Sequence, residues 1–149
     1  AAAKADCIVS ANFCPEFCQP AYAFFTNSKR FEKLDLASLP CPVVLTSNLR
    51  PLPQGALAVN YDRLAAPDVQ NASLGSNSVL MLLRLLRLCG AKAVLLAGAD
   101  GYKPGTPAYA DSLLHAHTGR GAAFNTAMAG AIKACGLDVT FITPSEYAK

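Results

Sequence analysis

Four short apolar runs occupy the first half of the chain, and each ends in polar or turn residues. They cover Cys7–Asn12, Tyr22–Asn27, Pro42–Asn48 and Ala56–Tyr61. Each run is continuous rather than alternating, which is typical of strands in a parallel sheet that is covered on both faces. The connections between them are rich in proline, so helices there must be short or irregular, and Ser28–Leu36 is the best candidate. The pattern therefore predicts four buried strands.

The second half of the chain alternates helix and strand patterns more regularly. The stretch Val79–Cys89 is apolar almost all round, which predicts a deeply packed helix that ends at Gly90. Arg84 and Arg87 lie one turn apart on its single polar edge. A long surface loop is predicted over Lys103–Gly121. Three further elements follow from the same criteria, namely a strand over Ala91–Ala97, a helix over Phe124–Cys135 and a strand over Leu137–Thr143.

Alternating strands and helices with tight glycine turns are typical of a parallel sheet built by right-handed crossovers. We therefore predict an α/β fold, a three-layer, Rossmann-like open and mostly parallel sheet of about six strands. Residues 1–149 are predicted to form a single α/β domain, because no repeat or low-complexity segment divides them. The opening Ala1–Ala5 lacks the apolar middle of a signal peptide and resembles a cut linker, so we expect the domain to be a piece of a longer protein.

Composition narrows the classes of partner. Only 15% of the residues are charged and 52% are hydrophobic, so a well-filled core is expected. The net charge is +3 and the basic residues are scattered, whereas a nucleic-acid binder gathers them into a stripe. No apolar run reaches the roughly 18 residues that a membrane helix needs. We expect a cytoplasmic protein that binds neither nucleic acid nor membrane.

The six cysteines favour a reduced protein over a metal or disulfide scaffold. Cys14 and Cys18 form the one close pair, and their CxxxC spacing differs from the redox CxxC. No second pair completes a zinc-finger pattern. Free cysteine in an apolar element behaves as a small hydrophobe. A site of some kind at Cys14 and Cys18 stays open as the alternative.

Small polar residues recur where the predicted strands end. Ligands of open parallel sheets lie beyond the carboxyl ends of the strands, so these residues predict a polar cleft. The segment that opens the long helix adds backbone N–H groups and the positive end of the helix dipole, which suit an anion. Local turn chemistry and simple helix capping are the alternatives for each residue. The candidate ligand-binding set is Asn12, Asn27, Asn48, Ser76, Asn77, Ser78 and Asp100.

Within that set, Asp100 is expected to accept a hydrogen bond from a hydroxyl group of the ligand, while the helix start holds the anionic part of the ligand. The sequence contains no Walker spacing, no GxGxxG after a strand and no GxSxG elbow. His115 and His117 form an HxH pair in the predicted loop, but no third metal ligand accompanies them. We therefore assign neither a catalytic residue nor a metal ligand.

Five segments of the chain together carry a resemblance to a known family, namely Asn12-Phe13, Phe24–Lys33, Leu45–Asn48, Ala97–Tyr102 and Phe141–Tyr147. They resemble the C-terminal domain of bacterial aldolase-like proteins. In these proteins an N-terminal barrel is similar to 4-hydroxy-2-oxovalerate aldolase and other pyruvate-carboxyltransferase-like enzymes. The resemblance implies that lyase chemistry, and the divalent metal it uses, belong to the barrel, which would be the partner of this domain in a longer chain.

A fainter similarity is to sialyltransferase-like domains. There, a Ser/Gly segment that opens a helix and a strand that ends in Gly-x-Asp surround a nucleotide. Gly75–Ser78 and Gly98–Asp100 would fill those places. The alanine- and proline-rich loop that follows departs from that pattern.

Three functions follow as expectations. The first is an accessory domain of an aldolase- or pyruvate-carboxyltransferase-like lyase, non-catalytic on its own, without a cofactor, that binds a small phosphorylated or nucleotide-like ligand. The second is a glycosyltransferase-like domain that uses a nucleotide sugar, with Asp100 and one of the loop histidines in its site. The third is an oligomerisation or docking module, in which the chain pairs with a second copy or with the barrel.

Overall fold

The computed structural model describes residues 4–14, 16–33, 35, 38–65, 72–103 and 121–149. Contacts divide the chain into two compact units, Ala2–Leu82 and Leu83–Lys149. We call them the N-terminal unit and the C-terminal unit and describe each by itself. The expectation of a single domain over residues 1–149 stays a prediction.

The N-terminal unit contains a four-stranded parallel sheet. Each of the four predicted runs contributes one strand, so the prediction of four strands is confirmed. The strands pair in chain order, and Ala11 aligns with Phe24 at the carboxyl ends of the first pair. Because all four run in the same direction, their carboxyl ends lie at one edge of this sheet. The strands are β1 (Val9–Ala11), β2 (Tyr22–Phe25), β3 (Val43–Thr46) and β4 (Leu57–Val59).

Three helices of one turn each accompany these strands. They are α1 (Ser28–Phe31), α2 (Tyr61–Leu64) and α3 (Ala72–Gly75). The helix predicted over Ser28–Leu36 is therefore shorter than expected, and Leu36 lies outside the described residues. Asn27 and Asn60 are the N-caps of α1 and α2, because their side chains accept the N–H groups of Arg30 and Arg63.

The core of the N-terminal unit lies on its two central strands. Phe25 and Leu45 are fully buried and pack with Ala23, Phe31 and Leu49. At the edge of this sheet, by contrast, Leu57 of β4 is 53% exposed. β1 is only half-buried and most of β4 is exposed, so the expected burial is found for β2 and β3 but not for the two edge strands.

A longer helix, α4 (Ser78–Leu88), crosses the boundary between the units. Leu80, Met81 and Leu83 are almost completely buried, whereas Leu88 is 58% exposed. The sequence predicted deep packing along the whole helix. The structure shows deep packing for the first half of α4 only, and the last turn is exposed to solvent.

The C-terminal unit holds a parallel strand pair and a long helix. The strands are β5 (Ala93–Leu96) and β6 (Asp138–Phe141), and the helix is α5 (Ala122–Ala134). Phe124, Met128 and Ile132 form the buried stripe of α5 at helical spacing. The loop predicted over Lys103–Gly121, with His115 and His117, lies outside the described residues except at its two ends.

The end of α5 is fixed by a glycine and an arginine. Gly136 has φ +73°, which a residue with a Cβ rarely adopts. A Cβ at this position would lie 2.7 Å from Nη1 of Arg87, and that same nitrogen donates to the Cys135 carbonyl at 2.8 Å. The positive φ favours a glycine here, and a larger residue would also displace the guanidinium of Arg87 from this position.

The six strands and the helices between them confirm the predicted α/β class with parallel strands. Their pairing in the described residues is four plus two, with β1–β4 in one sheet and β5–β6 in the other. No helix in the described part of the chain is long and apolar enough to cross a bilayer.

Candidate functional site

A polar cluster joins the carboxyl ends of β1 and β2 to the start of α4. Asn12 is buried and has φ 55°, a left-handed conformation that asparagine tolerates better than most residues. Its Oδ1 accepts the N–H of Thr26 at 3.0 Å, and its Nδ2 donates to Oγ of Ser78. The Thr26 hydroxyl donates to the same Ser78 oxygen at 3.2 Å. We call Asn12, Thr26 and Ser78 the Asn12 cluster.

The chemistry of the Asn12 cluster is that of a neutral donor site. A serine hydroxyl has two lone pairs and one proton. The Ser78 oxygen accepts from Asn12 and Thr26, which leaves its own proton for a further acceptor. The cluster contains no ionisable side chain, and it lies at the positive end of the α4 dipole. This arrangement favours an acceptor or an anion over a cation.

Asn77 is the N-cap of α4, and this capping role explains part of the pattern that predicted an anion site. Its Oδ1 accepts the N–H groups of Val79 at 2.9 Å and Leu80 at 3.4 Å. These two donors are thus used by the helix itself, as the capping alternative expects. Ser76, one residue earlier, is exposed. What remains for a ligand at this helix start is supplied by side chains more than by backbone N–H groups.

Asn27 and Asn48 differ in their relation to the cluster. Oδ1 of Asn27 caps α1 through the N–H of Arg30, which is local turn chemistry. Asn48 follows β3, and its Nδ2 instead donates to the carbonyl of Thr26, which follows the neighbouring strand β2, at 3.5 Å. The structure therefore brings Asn48, Asn12 and Ser78 together around Thr26, while Asn27 faces its own helix.

Two residues near this edge were not among the predicted site residues. Thr26 is the centre of the cluster, and its position after β2 was the signal available in the sequence. Ser10 lies on β1, two residues before Asn12. Its Oγ is buried and has no hydrogen-bond partner among the described residues. A buried hydroxyl without a partner carries a desolvation cost that a bound polar group would offset.

Asp100 lies in the C-terminal unit, in the segment that follows β5. It is exposed, and its carbonyl accepts the N–H of Glu146 at 2.8 Å. Neighbouring bonds hold this segment. Oγ1 of Thr143 accepts the N–H of Gly98 at 2.9 Å, and the Ser145 hydroxyl donates to the Ala99 carbonyl at 2.5 Å. That Asp100 lines the same cleft as Asn12 stays a prediction.

Asn125 fixes the next residues of the same segment. Its Oδ1 accepts the Tyr102 N–H at 3.0 Å, and its Nδ2 donates to the Tyr102 carbonyl at 2.8 Å. The Tyr102 ring meets Phe124 edge-on, with the ring centres 5.5 Å apart. Sequence reasoning missed Asn125, although a buried polar residue within an apolar helical pattern was a signal for it.

A groove of about 500 Å³ in the C-terminal unit borders this helix. Its ionisable lining residues are Lys133, Glu146 and Lys149. Glu146 lies 2.6 Å from Nζ of Lys149 and 3.8 Å from Nζ of Lys103. The hydrogen bond from Lys149 is the main cause that lowers the pKa of Glu146, and the charges of both lysines add to it.

Neither the arrangement of possible metal ligands nor the comparison with known proteins assigns a function to further residues. In residues 4–103 and 121–149, so far as they are described, no group of three or more His, Cys, Asp or Glu side chains is arranged to hold a metal ion. In comparisons with protein-family models, curated proteins and solved structures, none matches the chain. The case for function therefore rests on the residues themselves.

Proposed function

We propose that the chain is an accessory, non-catalytic domain of a cytoplasmic aldolase- or pyruvate-carboxyltransferase-like lyase, and that it binds a small phosphorylated or nucleotide-like ligand. The observation that carries the ligand site is the Asn12 cluster. Asn12 links the end of β1 to the end of β2 and to Ser78 of α4. Polar groups thereby converge at the sheet edge where α/β proteins bind ligands.

The chemistry of the cluster favours a phosphate oxygen as the group bound. Ser78 has a proton to donate, and the α4 dipole adds positive potential at the same place. Asn48, linked to the cluster through the Thr26 carbonyl, offers an amide for a sugar or base. The buried Ser10 hydroxyl is a further group that a ligand, or a water it holds, would satisfy.

The same residues argue against catalysis at this place. Ser78 is the one hydroxyl of the cluster with a proton to give, and its two neighbours are an amide and a threonine, neither of which is a general base. A serine without a base is a poor nucleophile. The resemblance to aldolase-like proteins assigns the lyase chemistry to a barrel, which agrees with a binding role here.

Thermal-shift titration tests the proposal. Nucleoside diphosphates, nucleotide sugars, acyl-CoA and inorganic phosphate are each titrated against the chain. One of them should raise the melting temperature progressively with concentration. Ser78→Ala should remove most of that shift, because it deletes the donor of the cluster. Ser38→Ala is the matched control, since its exposed hydroxyl bonds only to the nearby Asp35 carbonyl, and it should leave the shift intact.

Absence of any shift at millimolar ligand, or a shift that Ser78→Ala leaves unchanged, would remove the ligand site. The docking function would then gain support from the apolar residues around β1. Phe17 is 93% exposed and Phe13 is 51% exposed, and both are apolar side chains that a docking partner would cover. The glycosyltransferase alternative relies on His115 and His117, which lie outside the described residues.

A further inference from the structure

Two grooves of the C-terminal unit meet along α5. The groove that Glu146 and Lys149 line has a volume of about 500 Å³, and we call it the lysine groove. The second has a volume of about 330 Å³, and we call it the apolar groove. Both volumes fall in the range of about 300–1,000 Å³ that is usual for small-molecule sites. Ala129 and Lys133, one helical turn apart, line both grooves, so the two are direct neighbours on this helix.

The apolar groove is bounded by α5, β6 and a single turn of 3₁₀ helix at Glu146–Ala148. Val139 and Phe141 lie two positions apart on β6, so both face the same side of the strand. Each is only partly buried. An apolar group that lay against them would remove their remaining surface from water, which is favourable. The large apolar side chains that line this groove are Ile132, Leu137, Val139, Phe141 and Tyr147.

The lysine groove carries a net positive charge, because its ionisable lining residues are two lysines and one glutamate. Glu146 is already engaged, with Nζ of Lys149 at 2.6 Å and Nζ of Lys103 at 3.8 Å. Lys133 has no ion pair with any described residue, and it is the lysine that also borders the apolar groove. A cation without a carboxylate partner beside an apolar surface suits a ligand that has one negative charge and an apolar body.

Gly130 keeps the lysine groove open. It lies in the interior of α5, is exposed and lines the groove. Glycine is less favourable than alanine inside a helix. Neither a positive φ nor a close neighbour requires it here, since a Cβ at this position would meet no atom of another described element within 4 Å. The space above Gly130 belongs to the groove, and a larger side chain would occupy it.

We propose that the C-terminal unit binds a small organic monocarboxylate, with the carboxylate paired to Lys133 and its apolar body in the apolar groove. Burial of the body supplies most of the affinity, because an ion pair with an exposed lysine contributes little. A dicarboxylate fits less well, since its second charge would lie against apolar side chains or face Glu146. The inference does not depend on the proposed function, because none of these residues belongs to the Asn12 cluster.

A series of linear carboxylates tests the proposal on the whole chain. Acetate, butanoate, hexanoate and octanoate are titrated at neutral pH, and NMR shifts of the backbone amides give each dissociation constant. Affinity should rise by roughly two- to fourfold for each added methylene. The amides of Lys133 and Val139 should be among those that shift and saturate. Adipate, which adds a second carboxylate to the chain of hexanoate, and hexanol, which lacks the charge, should both bind more weakly than hexanoate.

Variants separate the charge from the space. Lys133→Gln should weaken hexanoate binding by roughly two- to fivefold and leave hexanol binding unchanged. Its control is Lys92→Gln, at an exposed lysine of the same unit that lines neither groove. Gly130→Leu should also weaken hexanoate binding, because its side chain would take the space beside Lys133. Its control is Ala123→Leu, at an exposed position of α5 that lines neither groove.

Three results with the unmodified chain would each overturn the proposal. They are no saturable shift at millimolar octanoate, an affinity that does not depend on chain length, and tighter binding of adipate than of hexanoate. Equal losses in Lys133→Gln and Lys92→Gln would overturn it as well. The chain-length series needs no variant, so it decides the matter even if a substitution prevents folding. Failure here leaves the Asn12 cluster untouched, because Ser78→Ala tests that site separately.

Discussion

The two units use the polar side chains near their strand ends differently. In the N-terminal unit, the Asn12 cluster bonds largely side chain to side chain. In the C-terminal unit, Thr143, Ser145 and Asn125 all bond to the main chain of the segment after β5. Side chains bonded to backbone fix a loop. Hydroxyls bonded to one another can exchange a partner for a ligand, and this is why we propose the ligand site at the first edge.

The units also differ in how their strands are covered. Ala23, Phe24 and Phe25 of β2 are fully buried on both faces, whereas exposure alternates along β5 and β6. A four-stranded sheet has two interior strands, and a pair has none. The N-terminal unit should therefore be the more sensitive to changes in its strands.

Phe25→Ala gives the largest effect expected from this difference. Phe25 is fully buried in the core of the N-terminal unit, so its truncation should lower the free energy of unfolding by about 3–5 kcal/mol. Leu57→Ala, at a position that is 53% exposed on β4, is the control and should cost far less. Urea unfolding curves of the two variants measure both. Equal losses would mean that central and edge strands of this sheet are covered alike.

Asn125→Ala tests the main-chain bonds of the C-terminal unit. The substitution leaves the N–H and the carbonyl of Tyr102 without their partner, at a cost of about 1–3 kcal/mol. Thr126→Ala is the neighbouring control, since its exposed hydroxyl bonds only to the Ala122 carbonyl of its own helix. Hydrogen exchange should show faster exchange of the Tyr102 amide in the first variant only. An unchanged rate there would break the contrast between the two units.

The pH dependence of Glu146 gives the smallest effect. Its pKa is lowered in the folded chain, chiefly by the hydrogen bond from Lys149. A lowered pKa contributes stability above the unfolded-state pKa, and that contribution is lost as the pH falls through the folded-state pKa. Lys149→Gln should move the pKa of Glu146 up, toward its ordinary value, in an NMR titration.

Lys133→Gln is the control for that titration. Lys133 lines the same groove but is not among the causes of the Glu146 shift. The pKa of Glu146 should therefore stay where it is. If both variants moved it equally, the general potential of the groove would explain the shift, and the specific bond to Lys149 would not.

Local patterns in the sequence were enough to locate the strands. Continuous apolar runs predicted all four strands of the N-terminal unit, because a buried strand needs apolar residues on both faces. The division into sheets of four and two strands depends on which strands meet in space, and no local pattern encodes that. The helices α2 and α3 were also missed, since one turn is too short to show a periodicity.

The sequence likewise predicted part of the candidate site. The asparagines at strand ends were visible in the sequence, but their partners were not. Asn12 bonds to Ser78 and Asn77 caps its own helix, although residue type alone suits both equally to a ligand. Asn125 was missed because its partner, Tyr102, lies 23 positions away. Residue type showed where polar groups occur, and only the fold showed how they are used.

The sequence distances within the Asn12 cluster have a consequence for the rates of folding and unfolding. Asn12 bonds to residues 14 and 66 positions away. Contacts that close long loops lose much chain entropy and tend to form after the local ones. Interactions that are absent from the folding transition state slow unfolding and leave the folding rate almost unchanged. We therefore expect the Asn12 cluster to slow the unfolding of the N-terminal unit and to have little effect on the rate at which the unit folds.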